Sequence, residues 1–530
     1  MERTGTSCKT GNTGAQWVRG LAACSFATAS ASTGAGTVTM GEDVRVDYLL
    51  TTNYSLGVRV GRPSQALMND ANADDSERSF KRGSLVNNRM SVTGQADIKW
   101  RNYGIFVGGS AFYDDVYNRG NDNDSQATLN RSGNSNSFSS ATRDYDGRRA
   151  RLLDAFAYGS WDLGDGRKLS VNAGHHVVAW GESLFFPGIS GGQGRADATK
   201  SNIAGVETKD VLLPTGQISG QYPVTRDISL LAYYQYRFRP TELQPTGDYL
   251  FMTDVLGPGA QKMFLAPGFA IDRTPDAMPK PSGQWGIGTR FRLSPAFEMG
   301  AYHINYSTKT PMVEFDTRGA MPTYRVRYFE NVRATALSFT TRLGNASVAG
   351  EMAYHDGLPV QIDTPGFPAI VRGKAIQAQL NVFDAFGPNA ISDRSLVLGE
   401  VVGQYLLGVD GNPFDAGARN SDLVSATRSA LGYQISYIPS WNNVFPGWDL
   451  SVPISWNHTL YGIGVVSQTG MLHGGDMRAS LGATFTYLGN LEIALKYNAF
   501  LGKPALDGYG RQRRPLADRD FITLNVKYSF

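Results

Sequence analysis

FITLNVKYSF, residues 521–530, alternates without interruption. Ile522, Leu524, Val526, Tyr528 and Phe530 occupy one set of positions, and Thr523, Asn525, Lys527 and Ser529 the other. A period of two sends the two sets to opposite faces of a strand. Terminal residues ordinarily fray, so a strict alternation that runs up to a final aromatic asks for a closing role.

The same pattern recurs upstream. In 90–101, Met90, Val92, Gly94, Ala96, Ile98 and Trp100 oppose Ser91, Thr93, Gln95, Asp97, Lys99 and Arg101. In 477–487, Met477, Ala479, Leu481, Ala483, Phe485 and Tyr487 oppose Arg478, Ser480, Gly482, Thr484 and Thr486. Segments 228–238, 376–383 and 491–500 repeat it. Such strands exceed the roughly five or six residues usual in soluble sheets. They match the roughly nine to eleven that a tilted strand needs to span a bilayer.

The connections alternate as well. Short turns fall at Asn102-Tyr103, Gly164–Gly166, Val224–Arg226, Ser294-Pro295, Gly344-Asn345 and Gly489-Asn490, with long polar stretches between them (115–149, 181–214, 239–282 and 502–518). This short-long wiring predicts an all-β fold, a transmembrane antiparallel barrel of about eighteen strands, with about sixteen or twenty as neighbouring counts. The barrel is assigned to 44–530, a weak secretory leader to 1–31 and a short linker to 32–43. A soluble propeller would show a repeat of about forty residues, and none is visible.

Composition agrees. Charged residues are 18%, below the usual quarter, while the 61 Gly, 25 Tyr and 26 Phe suit wide sheets with an apolar face. No apolar run is long enough for a membrane helix. A net charge of +3 gives no reason to expect a nucleic-acid partner. The two cysteines, Cys8 and Cys24, both lie in the leader, so no disulfide or thiolate site is expected in the barrel. Tyr48, Trp100, Trp161, Tyr487, Tyr497 and Tyr528 sit toward strand ends, as interfacial girdles do.

The most distinctive stretch is HHVVAWGESLFFPGISGGQ, 175–193. Its strand face carries Asn172, His176, Trp180 and Glu182, followed by Leu184-Phe185-Phe186-Pro187 and a glycine-rich run. His176, Trp180, Glu182, Phe185 and Phe186 are therefore the candidates for a lumen or constriction. The loop either packs on itself outside or folds into the lumen. His175 and His176 point to opposite faces of a regular strand, so they cannot chelate one ion. No metal and no cofactor is expected. Gly188–Gly192 matches G-x-S-x-G in letters, but Pro187 precedes it and no strand–helix pattern surrounds it, so no catalytic residue and no enzyme is expected.

RRARLLDAFAYGSWDLG (148–164), HHVVAWGESLFFPGISGG, ETKDVLLPTGQISG (207–220) and YFENVRATALSFTTRLGNASVAGEMAYHDGLPVQ (328–361) carry a resemblance. They resemble a family of proteobacterial, pseudomonad-type outer-membrane β-barrels catalogued as a domain of unknown function. The resemblance implies a bacterial outer-membrane location, with outer-membrane lipid and the barrel-assembly machinery as partners. It implies a periplasmic lipoprotein-like protein or a transporter as a further partner. It implies small hydrophobic, long-chain or aromatic, compounds as cargo of a passive channel. A general diffusion porin for hydrophilic solutes, and a structural component without an open pore, stand as alternatives. The terminal Phe530 and Tyr528 resemble the C-terminal signal that the assembly machinery reads.

Overall fold

The computed structural model describes residues 36–41, 43–200, 211–410, 423–466, 471, 473–506 and 512–530. The leader expectation (1–31) lies outside the described residues. Period-two segments become strands wherever they occur. The first seven are β1 (Val44–Arg59), β2 (Leu85–Trp100), β3 (Tyr103–Asp114), β4 (Arg148–Asp162), β5 (Lys168–His176), β6 (Thr215–Pro223) and β7 (Ile228–Gln235). β8 (Gln284–Ser294), β9 (Phe297–Tyr306), β10 (Val332–Leu343), β11 (Ala346–Ile362), β12 (Ala369–Phe386), β13 (Arg394–Val409) and β14 (Ser429–Phe445) follow. β15 is broken at Val452-Pro453 into Trp448–Ser451 and Ile454–Tyr461. β16 (Met477–Tyr487), β17 (Leu491–Leu501) and β18 (Phe521–Ser529) complete the ring.

Each strand pairs antiparallel with its neighbour in sequence, and the ring closes where β1 pairs with β18, from Thr51↔Ser529 to Arg59↔Phe521. The result is a closed barrel of eighteen strands, as the alternation predicts. Closure removes the sheet edges that would otherwise template aggregation.

Alternation along each strand separates outside from inside. On β11, Met352 and Tyr354 are exposed on the outer surface while Glu351, Ala353 and His355 are buried inside. On β18, Ile522, Leu524 and Tyr528 face out, and Thr523 and Asn525 face in, as expected. Charges on the lumen face pair with neighbours: Lys527 with Glu492 at 3.0 Å, and Asp97 with Lys99 at 3.1 Å.

Within 32–43 a strand, Gly36–Met40, pairs with Val44–Tyr48 of β1 beyond the end of β18. β18 stops opposite Thr51, leaving that edge of β1 free for it. One sequence expectation needs correction: the alternation over 228–238 predicts a strand that reaches Phe238, but β7 ends at Gln235. Phe238 instead packs against Tyr328 in the long-loop end.

The long-loop end is a packed cap. Phe80, Val86, Tyr117, Phe138, Tyr249, Leu250, Leu516 and Phe521 form an apolar core there, contributed by four connections and the adjoining strand ends.

Candidate functional site: a loop folded across the lumen

The strand that carries His176 ends at that residue. Trp180 and Glu182 therefore do not continue its lumen face; they belong to a connection that turns into the barrel. Among the described residues of this connection, 177–200 and 211–214, the backbone runs against the inner wall of β7–β14.

Two wall carboxylates hold it. Glu351 on β11 accepts the N–H of Glu182 at 3.1 Å and of Ile189 at 2.6 Å. Glu400 on β13 accepts the N–H groups of Leu184 (3.2 Å), Phe185 and Phe186 (2.8 Å). The neighbouring wall amides serve the loop's carbonyls: Gln377 donates to Pro187 O at 3.1 Å and Asn381 to Glu182 O. A loop away from water must satisfy its backbone somewhere, and here the lumen wall does it.

The apolar side chains split between two sites. Trp180 packs its ring on Tyr233 (centroids 5.0 Å, edge-on) and Tyr302 (5.7 Å, stacked), with Ile189 in the same cluster. Phe186 is buried with Val402, Ala430 and Met471, and Phe185 packs against that group. Glu182 is half-buried, and burial holds its carboxyl above the usual range.

Glycines make this seat possible. A Cβ at Gly188 would lie 2.0 Å from Glu351 Oε1, and one at Gly181, where φ is +89°, 1.9 Å from Oε2. The glycine-rich run is thus shaped by close approach to Glu351. The hydroxyl of Ser190 lies 3.2 Å from that of Ser183.

His176 sits at the loop's entry. Its Nδ1 donates to Gly174 O at 3.2 Å, its Nε2 lies 2.7 Å from Ser219 Oγ, and its ring packs on Phe156. His175 points away from it, so the pair does not converge. Tyr528 lies on the outer surface against Phe530, whose N–H donates to Leu50 O at 2.9 Å.

The far end of the loop is tied to the opposite side. Arg149 and Arg151 on β4 both reach Glu242 at 2.7 Å, Arg151 also pairs with Asp197, and Arg195 meets Glu242 at 3.3 Å. The loop is therefore anchored on β4 and on β11–β13. Residues 201–210 of this connection lie outside the described residues, and Leu212–Leu213 pairs as a strand with Arg195–Ala196.

The sequence reading missed the wall facing this loop. Phe106 on β3 and Phe156 on β4 stand opposite each other and stack at 5.5 Å, both half-buried on the lumen face. Tyr158 continues the stripe and donates to Asp97 at 2.7 Å; Arg89 covers Phe112 at 4.1 Å. A usable signal exists: Ile105-Phe106-Val107 and Ala155-Phe156-Ala157 are apolar on both faces. Glu351, Glu400 and Lys309 were likewise not singled out. Lys309 is fully buried, with its Nζ 2.6 Å from Gln284 Oε1 and 3.3 Å from Gln235 Oε1. At the turn end a cavity of about 760 Å³ opens beside Arg292, Glu298, Thr340 and Arg342.

The sequence matches, over residues 16–530, a protein family described as "Protein of unknown function (DUF1302)". No curated protein matches it. Among solved structures it is similar to Acinetobacter baumannii OccAB1, at 10% identity, covering 94% of this chain and 99% of that one, with a TM-score of 0.44. Pseudomonas aeruginosa OccK1 (OpdK) shows 11% identity, coverage of 92% and 98%, and a TM-score of 0.41. Pseudomonas aeruginosa OccK8 (OprE) shows 8% identity with the same coverage and TM-score. Likeness at this level carries no argument about what this barrel does.

Proposed function

The chain belongs to the DUF1302 family, and we propose that it is an outer-membrane channel passing small hydrophobic or aromatic compounds, with the long loops outward. The observation that carries this reading is the inward aromatic stripe. A barrel bathed in lipid has a reason to place Ile105 and Val107 outside; Phe106, Phe112 and Phe156 inside, half-buried, need another reason. Stacked rings beside arginines offer apolar contact with polar ends, the usual make-up of a small-molecule path. The loop on Glu351 and Glu400 narrows the path. Passage would be passive, with the periplasmic lipoprotein-like or transporter partner receiving the cargo.

Purified protein in liposomes tests this. Uptake of a radiolabelled aromatic or long-chain acid should exceed that of a sugar of similar mass. Replacing Phe106 and Phe156 together by Ala should slow the aromatic solute about two- to tenfold, since each aromatic contact contributes about 0.5–1.5 kcal/mol. Equal sugar swelling, untouched by the substitutions, would instead identify a general porin.

A second reading, a barrel without an open pore, draws on the anchoring of the loop to both walls. Planar-bilayer recordings separate the two. Under the channel reading, deleting 184–192 raises the conductance of an already conducting protein. Silence of the wild type and of the deletion alike would leave the closed barrel.

A further inference from the structure

The cap contains a buried pocket of hydrogen-bond acceptors that the channel reading does not use. It joins three connections at the long-loop end. The Asp75 N–H donates to Asp254 Oδ2 at 2.9 Å, and the Asp254 N–H donates to Asn72 O at 2.6 Å. Asn130 Nδ2 donates to Asn72 Oδ1 at 3.1 Å and to Lys262 O at 3.0 Å. Asn123 Nδ2 donates to Asp75 Oδ1 at 2.9 Å. The bonds between these residues bring 72–75, 123–130 and 254 to one point.

At that point the oxygens outnumber the donors. Among the described residues, Asp75 Oδ2, Asp254 Oδ1 and Asn130 Oδ1 have no hydrogen-bond donor in range, and neither does Asp74 Oδ1 on the adjacent residue; the Asn130 N–H stabilises the charge of the Asp75 carboxylate from beside it. All four residues are at most 2% exposed. Both protons of the Asn130 carboxamide are already engaged, which fixes its oxygen as the free acceptor. Arg131 interacts with both Asp75 and Asp254 at longer range, but its guanidinium is turned to the carbonyls of Ser132, Asn134 and Ser137. Arg78 and Thr128 serve only the other oxygen of Asp74.

Buried acceptors without donors are costly, and two adjacent buried carboxylates more so. A single proton shared by Asp75 and Asp254 would answer two of the oxygens. It would leave the Asn130 and Asp74 oxygens unanswered. One cation answers several together.

We propose that Asp75, Asp254 and Asn130 bind a hard divalent cation of calcium type that staples the cap. Among the described residues no three His, Cys, Asp or Glu side chains are arranged to hold a metal; this set is mixed, two carboxylates and a neutral carboxamide. Such all-oxygen sets, with water filling remaining positions, suit calcium and not the softer transition metals. The ion would join connections that are distant in sequence, and so order the long-loop end.

Terbium luminescence on the full-length protein in detergent tests the site. Tyr324 can sensitise the ion, because its hydroxyl donates to Val255 O at 3.2 Å, next to Asp254. The expected result is one saturable emitting site from which calcium displaces terbium. Asp254→Asn should bind on the order of tenfold more weakly, while Asn130→Asp, which adds a charged ligand, should bind more tightly. Heat-shifted gel mobility confirms that each barrel is folded; where Asp254→Asn does not fold, Asn130→Asp alone decides. Absence of saturable emission overturns the proposal. So does emission unchanged in Asp254→Asn, or an Asn130→Asp protein that binds no better than wild type.

Discussion

Lys309 shows how far the interior of this barrel departs from water. Among the described residues its ammonium has only carboxamide oxygens as hydrogen-bond partners, with the Phe238 ring 5.2 Å away. Burial first, and the Arg195 charge second, bring its pKa down to about 7. An unfolded lysine keeps its proton to about 10.4. Between those values the unfolded chain binds the extra proton, so stability should rise as pH climbs from about 7 to about 10.4, by at most about 1.4 kcal/mol per unit. Below pH 7 both states carry the proton, and the cost of burying it is constant. Urea unfolding of wild type against Lys309→Met across this range should show the slope in the first and its loss in the second. Parallel curves would mean that Lys309 keeps an ordinary pKa.

At the scale of elements, the inward loop is held by few groups and should be easy to unseat. A methyl at Gly188 must displace the Glu351 carboxylate, which then loses the N–H groups of Ile189 and Glu182. Charge-assisted bonds of this kind contribute about 1.5–3 kcal/mol each. Gly188→Ala should therefore raise single-channel conductance or its noise, and open 181–193 to protease, while the barrel keeps its heat-shifted gel mobility. Unchanged traces and cleavage would show that Glu400 holds the loop alone. The same element marks the boundary of what the sequence discloses. Strands were legible because one face meets an apolar surround, which forces a strict period of two. The loop was legible as unusual, through Trp180, Phe185, Phe186 and its glycines, but not its direction. That depends on Glu351 and Glu400, single acids 162 or more positions away from the groups they bind. Phe106 and Phe156 were lost for a related reason. An apolar residue on the inner face looks like a fault in the alternation until the facing strand supplies its partner.

Across the whole molecule, closure depends on a charged knot as well as on strand pairing. Glu77, from the connection after β1, meets Arg59 at 3.2 Å and Arg519 at 2.7 Å, and Asp518 meets Arg59 at 3.1 Å. Arg59 ends β1 and Arg519 stands just before β18, the two strands that close the ring. The sequence does not single these residues out; buried, they form a clamp over the seam. Hydrogen bonds from Arg59 to Phe80 O and Asp518 O extend the clamp into the cap. Removing one member of such a buried network costs about 3–5 kcal/mol, because the remaining charges are left uncompensated. Glu77→Ala would leave two guanidiniums facing each other with only Asp518 between them. The damage should be local, since the seam's other end, near Thr51 and Ser529, has its own ladder. Hydrogen exchange should accelerate at 55–59 and 521–525 and stay slow at the turn end. Uniform acceleration around the barrel would show that the strands, and not the clamp, set the stability of the seam.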